Sequence, residues 1–112
     1  MELRRGDIVT IAPSGDFSKP RPALVLQAYL PVGMETVTVV PITSDLRNLP
    51  TIRVPINPSR QNGLRIPSEI MIDGIQTLLV KRIGNVIGTV EEPILRLVEA
   101  SVTEFFGLNE NL

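Results

Sequence analysis

Residues 35–43 read ETVTVVPIT. Thr36 and Thr38 alternate with Val37 and Val39, the two-residue period of a strand with unlike faces, and from Val39 the run turns apolar up to Thr43. The pattern predicts a strand that passes from a half-exposed to a buried position and delivers two adjacent hydroxyls, Thr43 and Ser44, into a polar loop. Pro41 cannot donate to a ladder, so it predicts an edge strand or a bulge near the strand's end.

Similar short runs flank this one: DIVTIA (7–12), ALVLQAYL (23–30), TIRVPI (51–56), EIMIDGIQTLLV (69–80) and NVIGTV (85–90). Ten prolines and eight glycines punctuate them. Brief β-branched runs between turn signals at this spacing indicate a mainly β, mostly antiparallel barrel or sheet. Asp73-Gly74, inside the 69–80 run, predicts a turn or bulge. The last segment departs from the pattern. From Pro93 to Phe106, Ile94, Leu95, Leu97, Val98, Val102, Phe105 and Phe106 form one wide face at a 3.6-residue period, which predicts a C-terminal helix packed on the sheet. Glu91 and Glu92 suit the positive end of its dipole, Pro93 its first turn and Gly107 its stop.

The chain has 112 residues, a length that one core serves, and the expectation is a single domain over 1–112. It has no cysteine, which excludes disulfides and thiolate metal sites, and no histidine. Chemistry here must therefore use arginines, hydroxyls, carboxylates or a metal. No apolar stretch approaches the roughly 18 residues of a membrane-spanning helix, and no apolar segment follows the charged start, so a cytoplasmic protein off the membrane is expected.

The net charge is −1, a weak footprint for a nucleic-acid binder. The distribution is uneven, however. Residues 1–60 carry seven Lys/Arg against five Asp/Glu, and residues 61–112 carry four against seven. Arg4, Arg5, Lys19, Arg21, Arg47, Arg53 and Arg60 could form a locally basic face, or be ordinary solvated charges.

Three segments could carry chemistry. In KPRPALVLQ (19–27), Arg21 stands between two prolines; Pro22 keeps it out of the helical region and Pro20 fixes the backbone before it. A guanidinium held this way loses less entropy on meeting a phosphate, although a solvated turn arginine would read the same locally. In PITSDLRNLP (41–50), the hydroxyls of Thr43 and Ser44 could orient a phosphate or could cap their own backbone, beside Asp45 and Arg47. The third is DGIQTL (73–78).

With Arg5-Gly6-Asp7-Ile8-Val9 at the front, these segments stand in a fixed order: Arg21-Pro22-Ala23-Leu24-Val25, Pro41-Ile42-Thr43-Ser44 with Leu49-Pro50, Gly63-Leu64 with Pro67-Ser68 and Asp73, Ile83-Gly84, and Gly107-Leu108. The ordered set resembles the MazF/PemK toxin family of endoribonucleases over nearly the whole chain. The resemblance implies an SH3-like, PemK/CcdB-type β-barrel with one C-terminal helix. It implies a homodimer with a groove for single-stranded RNA, and a cognate antitoxin bearing an acidic C-terminal segment. It implies sequence-specific RNA cleavage without a metal or other cofactor, leaving a 2′,3′-cyclic phosphate and a 5′-hydroxyl. The family's catalytic arginine and threonine fall on Arg21 and Thr43. Lys19, Ser44, Arg47, Asp73, Gln76 and Thr77 are candidate RNA contacts. Gly74 and Gln76 replace a glutamine and an arginine common in the family, and Pro20 stands where some members have histidine or arginine.

The residue types suit the reaction. The ribose 2′-OH beside the scissile phosphate is a nucleophile already in place, and Arg21 could stabilise charge on the phosphorane with Thr43 as a second donor. Arginine stays protonated in proteins, so the base is unassigned, with Asp73 the one carboxylate considered. Two other readings remain at this level: a CcdB-like barrel that binds DNA gyrase without cutting RNA, and a metal-dependent nuclease using Asp7, Asp45 and Asp73, whose spacing matches no ligand pattern.

Overall fold

A computed structural model describes residues 2–109. Seven strands, β1 (Asp7–Ile11), β2 (Arg21–Val25), β3 (Thr36–Thr43), β4 (Arg53–Ile56), β5 (Ser68–Met71), β6 (Gln76–Leu79) and β7 (Ile83–Thr89), precede one helix, α1 (Glu92–Phe106). They pair antiparallel in the order β4-β5-β3-β2-β1-β7, with β6 also on β3. The outer strands β4 and β7 do not pair with each other, so the expected barrel is an open sheet.

β3 is the hub of this sheet, which corrects the expectation that Pro41 marks an edge. On one side, Val39–Pro41 pair with β2. On the other, Thr36–Val39 pair with β6 and Ile42–Thr43 with β5. Val40 and Pro41 fall in the gap where the neighbour changes, so the missing proline N–H interrupts no ladder. A proline at this point lets one strand serve two partners in succession.

Residues of β1, β2 and β3 alternate between two apolar clusters. Ile8, Leu24, Val40 and Ile42 join Val54, Ile56, Ile70, Ile72 and Val98 on one side; Val9, Ile11, Ala23, Val25, Val37 and Val39 gather with Ile83 on the other. Burial on both faces explains why ALV in β2 and VVPI in β3 read as continuous apolar runs. The run 69–80 is broken by a single 3-10 turn at Ile72–Gly74, where Asp73-Gly74 predicted a turn or bulge. The 23–30 run leaves the strand after Val25.

α1 begins one residue before the predicted start, with Pro93 in its first turn. Gly107 ends it at φ 67°, and the Leu108 N–H reaches back to the Thr103 carbonyl at 2.9 Å, a closing bond that a left-handed glycine allows. Val98 is fully buried, and Ile94, Leu95 and Val102 pack beside it on the first cluster. Leu97, Phe105 and Phe106 do not join this face; they are 53%, 42% and 53% exposed. The apolar stripe is therefore narrower than its sequence period suggested. Arg5 ties the helix to the sheet, donating to Glu99 of α1 and to the Leu26 carbonyl. Among the described residues, no helix is long and apolar enough to cross a membrane.

Candidate active site

One cleft, of about 660 Å³, opens where β2 begins, β3 ends and the 57–66 loop crosses. Arg21, the first residue of β2, and Thr43, the last of β3, both line it. Their meeting follows from the sheet: β2 and β3 run antiparallel, with Ala23 opposite Pro41, so the start of one lies beside the end of the other. Lys19 and Ser44 line the same cleft. Arg65, which the sequence did not single out, adds a third cation, and Thr10 and Ser68 add hydroxyls. Among the described residues, no carboxylate lines it. Lys19, Arg21 and Arg65 are exposed and have no ion-pair or hydrogen-bond partner among the described side chains. A chain of net charge −1 thus concentrates unpaired positive charge at one concavity.

Four of the other basic residues in the first half of the chain are engaged in ion pairs. Arg4 pairs with Glu2, Arg5 with Glu99, Arg47 with Asp45 and Arg53 with Glu69. Arg53 is not a solvated charge at all: its side chain is 8% exposed.

The wall carrying Thr43 is an ordered turn. The Asp45 N–H donates to Thr43 Oγ1 at 3.0 Å, so the hydroxyl caps its own backbone in a residue that lines the cleft. With one lone pair engaged, the hydroxyl proton is left to donate elsewhere. Beyond Asp45, the Arg47 and Asn48 N–H groups donate to the buried Glu69 carboxylate at 3.0 and 3.1 Å. The Arg47 amide, above all, holds the Glu69 carboxyl below its ordinary value; burial opposes this, while Asn48 and Arg53 reinforce it.

The opposite wall, Gly63 to Ile66, rests on Asn62, which is fully buried. Asn62 Oδ1 accepts the Ser59 and Leu64 N–H groups at 3.0 Å each, and its amide donates to the Asn57 carbonyl and to Glu91. The Ser59 hydroxyl also donates to Glu91. Burial pushes the Glu91 carboxyl up, but the Ser59 hydroxyl, its own backbone N–H and Asn62 together hold it below the ordinary value. Gly63 lies at φ 73°, and a Cβ there would stand 2.1 Å from the Ile87 carbonyl oxygen, so only glycine lets this loop press onto β7.

The other candidate contacts lie outside the cleft. Arg47 spends its Nε on Asp45 at 3.0 Å. Asp73 is exposed in the 3-10 turn. Gln76 and Thr77 pair with Val39 and Thr38, and the Thr77 and Thr38 hydroxyls lie 2.7 Å apart. Thr38 is five residues before Thr43, roughly 17 Å along an extended strand. Asp7, Asp45 and Asp73 are also dispersed: Asp7 is buried and accepts the Arg4 N–H, and Asp45 is paired with Arg47. Among the described residues, no three His, Cys, Asp or Glu side chains cluster as metal ligands.

The chain thus pairs an antiparallel sheet and one C-terminal helix with a cationic, hydroxyl-bearing cleft. Residues 4–106 match the family described as PemK-like, MazF-like toxin of type II toxin–antitoxin system. The chain belongs to this family of RNA-cleaving toxins. It is 33% identical over 107 residues to the probable endoribonuclease MazF of Mycolicibacterium smegmatis, covering 95% of this chain and 98% of that one. Among solved structures it resembles the Mycobacterium tuberculosis toxin MazF-mt6, with a TM-score of 0.77 and 28% identity over 93% of this chain and 99% of that one. A mycobacterial endoribonuclease in complex with its cognate antitoxin shares the fold at a TM-score of 0.79 and 21% identity, over 98% of this chain and 100% of that one. The family match does not favour the CcdB-like reading.

Proposed function

We propose that the cleft is the catalytic centre of a sequence-specific, metal-independent endoribonuclease that cuts single-stranded RNA, built on one toxin domain spanning 1–112. The observation that carries this reading is the convergence of Arg21 and Thr43, 22 positions apart in the chain, on one cleft that no carboxylate lines among the described residues. Phosphate is the anion such a lining suits.

In the reaction, the ribose 2′-oxygen attacks the adjacent phosphorus while the bond from phosphorus to the 5′-oxygen breaks. The products are a 2′,3′-cyclic phosphate and a 5′-hydroxyl; the 2′-OH loses a proton and the departing oxygen gains one. Negative charge builds on the non-bridging oxygens of the phosphorane. Arg21 offers them a charged fork and Thr43 a hydroxyl hydrogen; preorganised donors of this kind are worth about 10²–10³ in rate each. Lys19, Ser44 and Arg65 hold the flanking backbone. Gln76 and Thr77, on β6 beside Val39 and Thr38 of β3, are assigned to nucleotides beyond the scissile bond, and Arg47 and Asp73 to the margin of that path. The chain has no histidine, and among the described residues no carboxylate lines the cleft, so no side chain is assigned as base.

The natural inhibitor of this site is a cognate antitoxin whose acidic C-terminal segment lies across Lys19, Arg21 and Arg65, since like the substrate it brings negative charge. A cytoplasmic homodimer, as the family resemblance implies, is part of this reading. The test is incubation of the purified protein with a long natural RNA in EDTA, followed by mapping of the ends. Discrete cuts with cyclic-phosphate and 5′-hydroxyl termini are expected. Intact RNA, or activity that appears only with added Mg²⁺, would refute it.

A further inference from the structure

Beneath the Thr43 turn lies an ion pair that the reaction does not touch. Arg53 of β4 and Glu69 of β5 are 8% and 2% exposed at their side chains, and Arg53 Nη1 meets Glu69 Oε1 at 2.9 Å. Glu69 sits directly opposite Thr43 in the β3–β5 register. Its two oxygens take the Arg47 and Asn48 N–H groups, and Arg53 Nη1 donates a second bond, to the Asp45 carbonyl, at 2.9 Å. The Asp45 N–H in turn donates to Thr43 Oγ1. A continuous path therefore runs from a buried carboxylate, through a buried guanidinium and the two peptide groups that flank the Asp45 Cα, to the hydroxyl of Thr43.

Two features show that this pair is a costly way to join β4 to β5. Arg53 Nε is buried and has no hydrogen-bond partner among the described residues. Buried ion pairs also add little stability over apolar residues of similar size. The turn they hold is itself strained: Asn48 and Thr51 lie at φ 54° and 74°, the latter a β-branched residue in the left-handed region. Strain and desolvation concentrate at the segment that presents Thr43.

We propose that Arg53 and Glu69 are positioning residues for the Thr43 hydroxyl. They pin the backbone on the far side of Asp45, through its carbonyl and the Arg47 and Asn48 N–H groups, so that the Asp45 N–H stays on one lone pair of Thr43 Oγ1 and the hydroxyl hydrogen is aimed into the cleft. This rests on the assignment of Thr43 to the reaction. Without the pair, the sheet keeps its register but the turn relaxes, and the hydroxyl loses its direction.

The experiment replaces the pair by apolar residues, Arg53→Met with Glu69→Leu, in the full chain, with Glu69→Gln as a second variant. Each is made with Thr43 intact and with Thr43→Val. The probe is a short RNA containing a cut site found by end mapping, and melting temperature, RNA dissociation constant and single-turnover rate are read. The paired variant should melt somewhat lower than the parent, because the Arg47 and Asn48 N–H groups and the Asp45 carbonyl lose their partners, while remaining folded at the assay temperature. Its rate should fall about 10–100-fold, the scale of a small misplacement, with RNA affinity within about threefold. In the Thr43→Val background the same replacement should lower the rate no further, a result that a merely structural role would not give. An unchanged rate, or a loss that multiplies with that of Thr43→Val, overturns the proposal. Where the paired variant fails to fold, Glu69→Gln is read by the same criteria. A parent protein that cuts no RNA removes the nuclease reading and this inference together, an outcome distinct from variants that cut as well as the parent.

Discussion

The two walls of the cleft are held from below by different chemistry. Under the Thr43 turn, Glu69 takes two backbone N–H groups directly and is paired with the buried Arg53. Under the Gly63–Ile66 wall, Glu91 holds neutral groups, the Ser59 hydroxyl and the Asn62 amide, and it is Asn62 that takes the backbone N–H groups. The first arrangement sets one hydroxyl against a fixed peptide. The second folds a loop into place over β7 and ties it to Glu91 at the start of α1, where that residue is the N-cap. On the proposed function the contrast separates direction from shape: one wall would orient a reacting group, and the other would close the surface on which RNA lies.

Asn62→Ala tests the second wall and should produce the larger loss of stability. It leaves the Ser59 and Leu64 N–H groups and the Asn57 carbonyl without their partner, at a cost of about 1–3 kcal/mol for buried groups left unsatisfied. Denaturant unfolding measures this, and RNA affinity should weaken with it while the bound-state cleavage rate changes less. A rate loss at unchanged stability and affinity would erase the distinction between the walls.

Acid should act on both walls in the same direction. The Glu69 and Glu91 carboxyls are held below their ordinary value of 4.5 in the fold. A depressed folded value means that the unfolded chain takes up the proton first. The contribution of each group is thus fully present above 4.5 and lost as the pH falls through the folded value. Melting temperature followed by circular dichroism should stay level from neutral pH toward that point and then decline. Glu69→Gln should decline less steeply over the same range. A melting temperature that rises on acidification would contradict the pKa directions on which both walls depend.

Much of this architecture was legible in the chain because local signals mark it. Turn residues separated the strands, Asp73-Gly74 marked the break between β5 and β6, and Gly107 marked the end of α1. Arg21 and Thr43 were visible as ends of runs, and their meeting followed once β2 lay antiparallel to β3. What stayed hidden depends on which strand neighbours which. Nothing in TIRVPI or PSEI distinguishes Arg53 and Glu69 from surface charges; only the β4–β5 pairing buries them together. Arg65 carries no local mark either, because its place in the cleft follows from Asn62 and Gly63 folding the loop back onto β7. Pro41 misled for a similar reason, since no local rule anticipates a strand that exchanges one partner for another at its proline. The helix showed the reverse error: its period counted Leu97, Phe105 and Phe106 inward, but the sheet covers only the narrower stripe centred on Val98.

The most direct test compares single-turnover cleavage of one mapped RNA site by the parent protein, Arg21→Ala and Thr43→Val, beside the same oligonucleotide carrying deoxyribose at the cut position. Both variants should melt as the parent does and cut at least about 10²-fold more slowly, the scale of losing one donor to developing charge. The deoxy oligonucleotide should remain whole with every protein, because it lacks the attacking hydroxyl. Cleavage of that oligonucleotide, or parental rates from Arg21→Ala, would contradict the account.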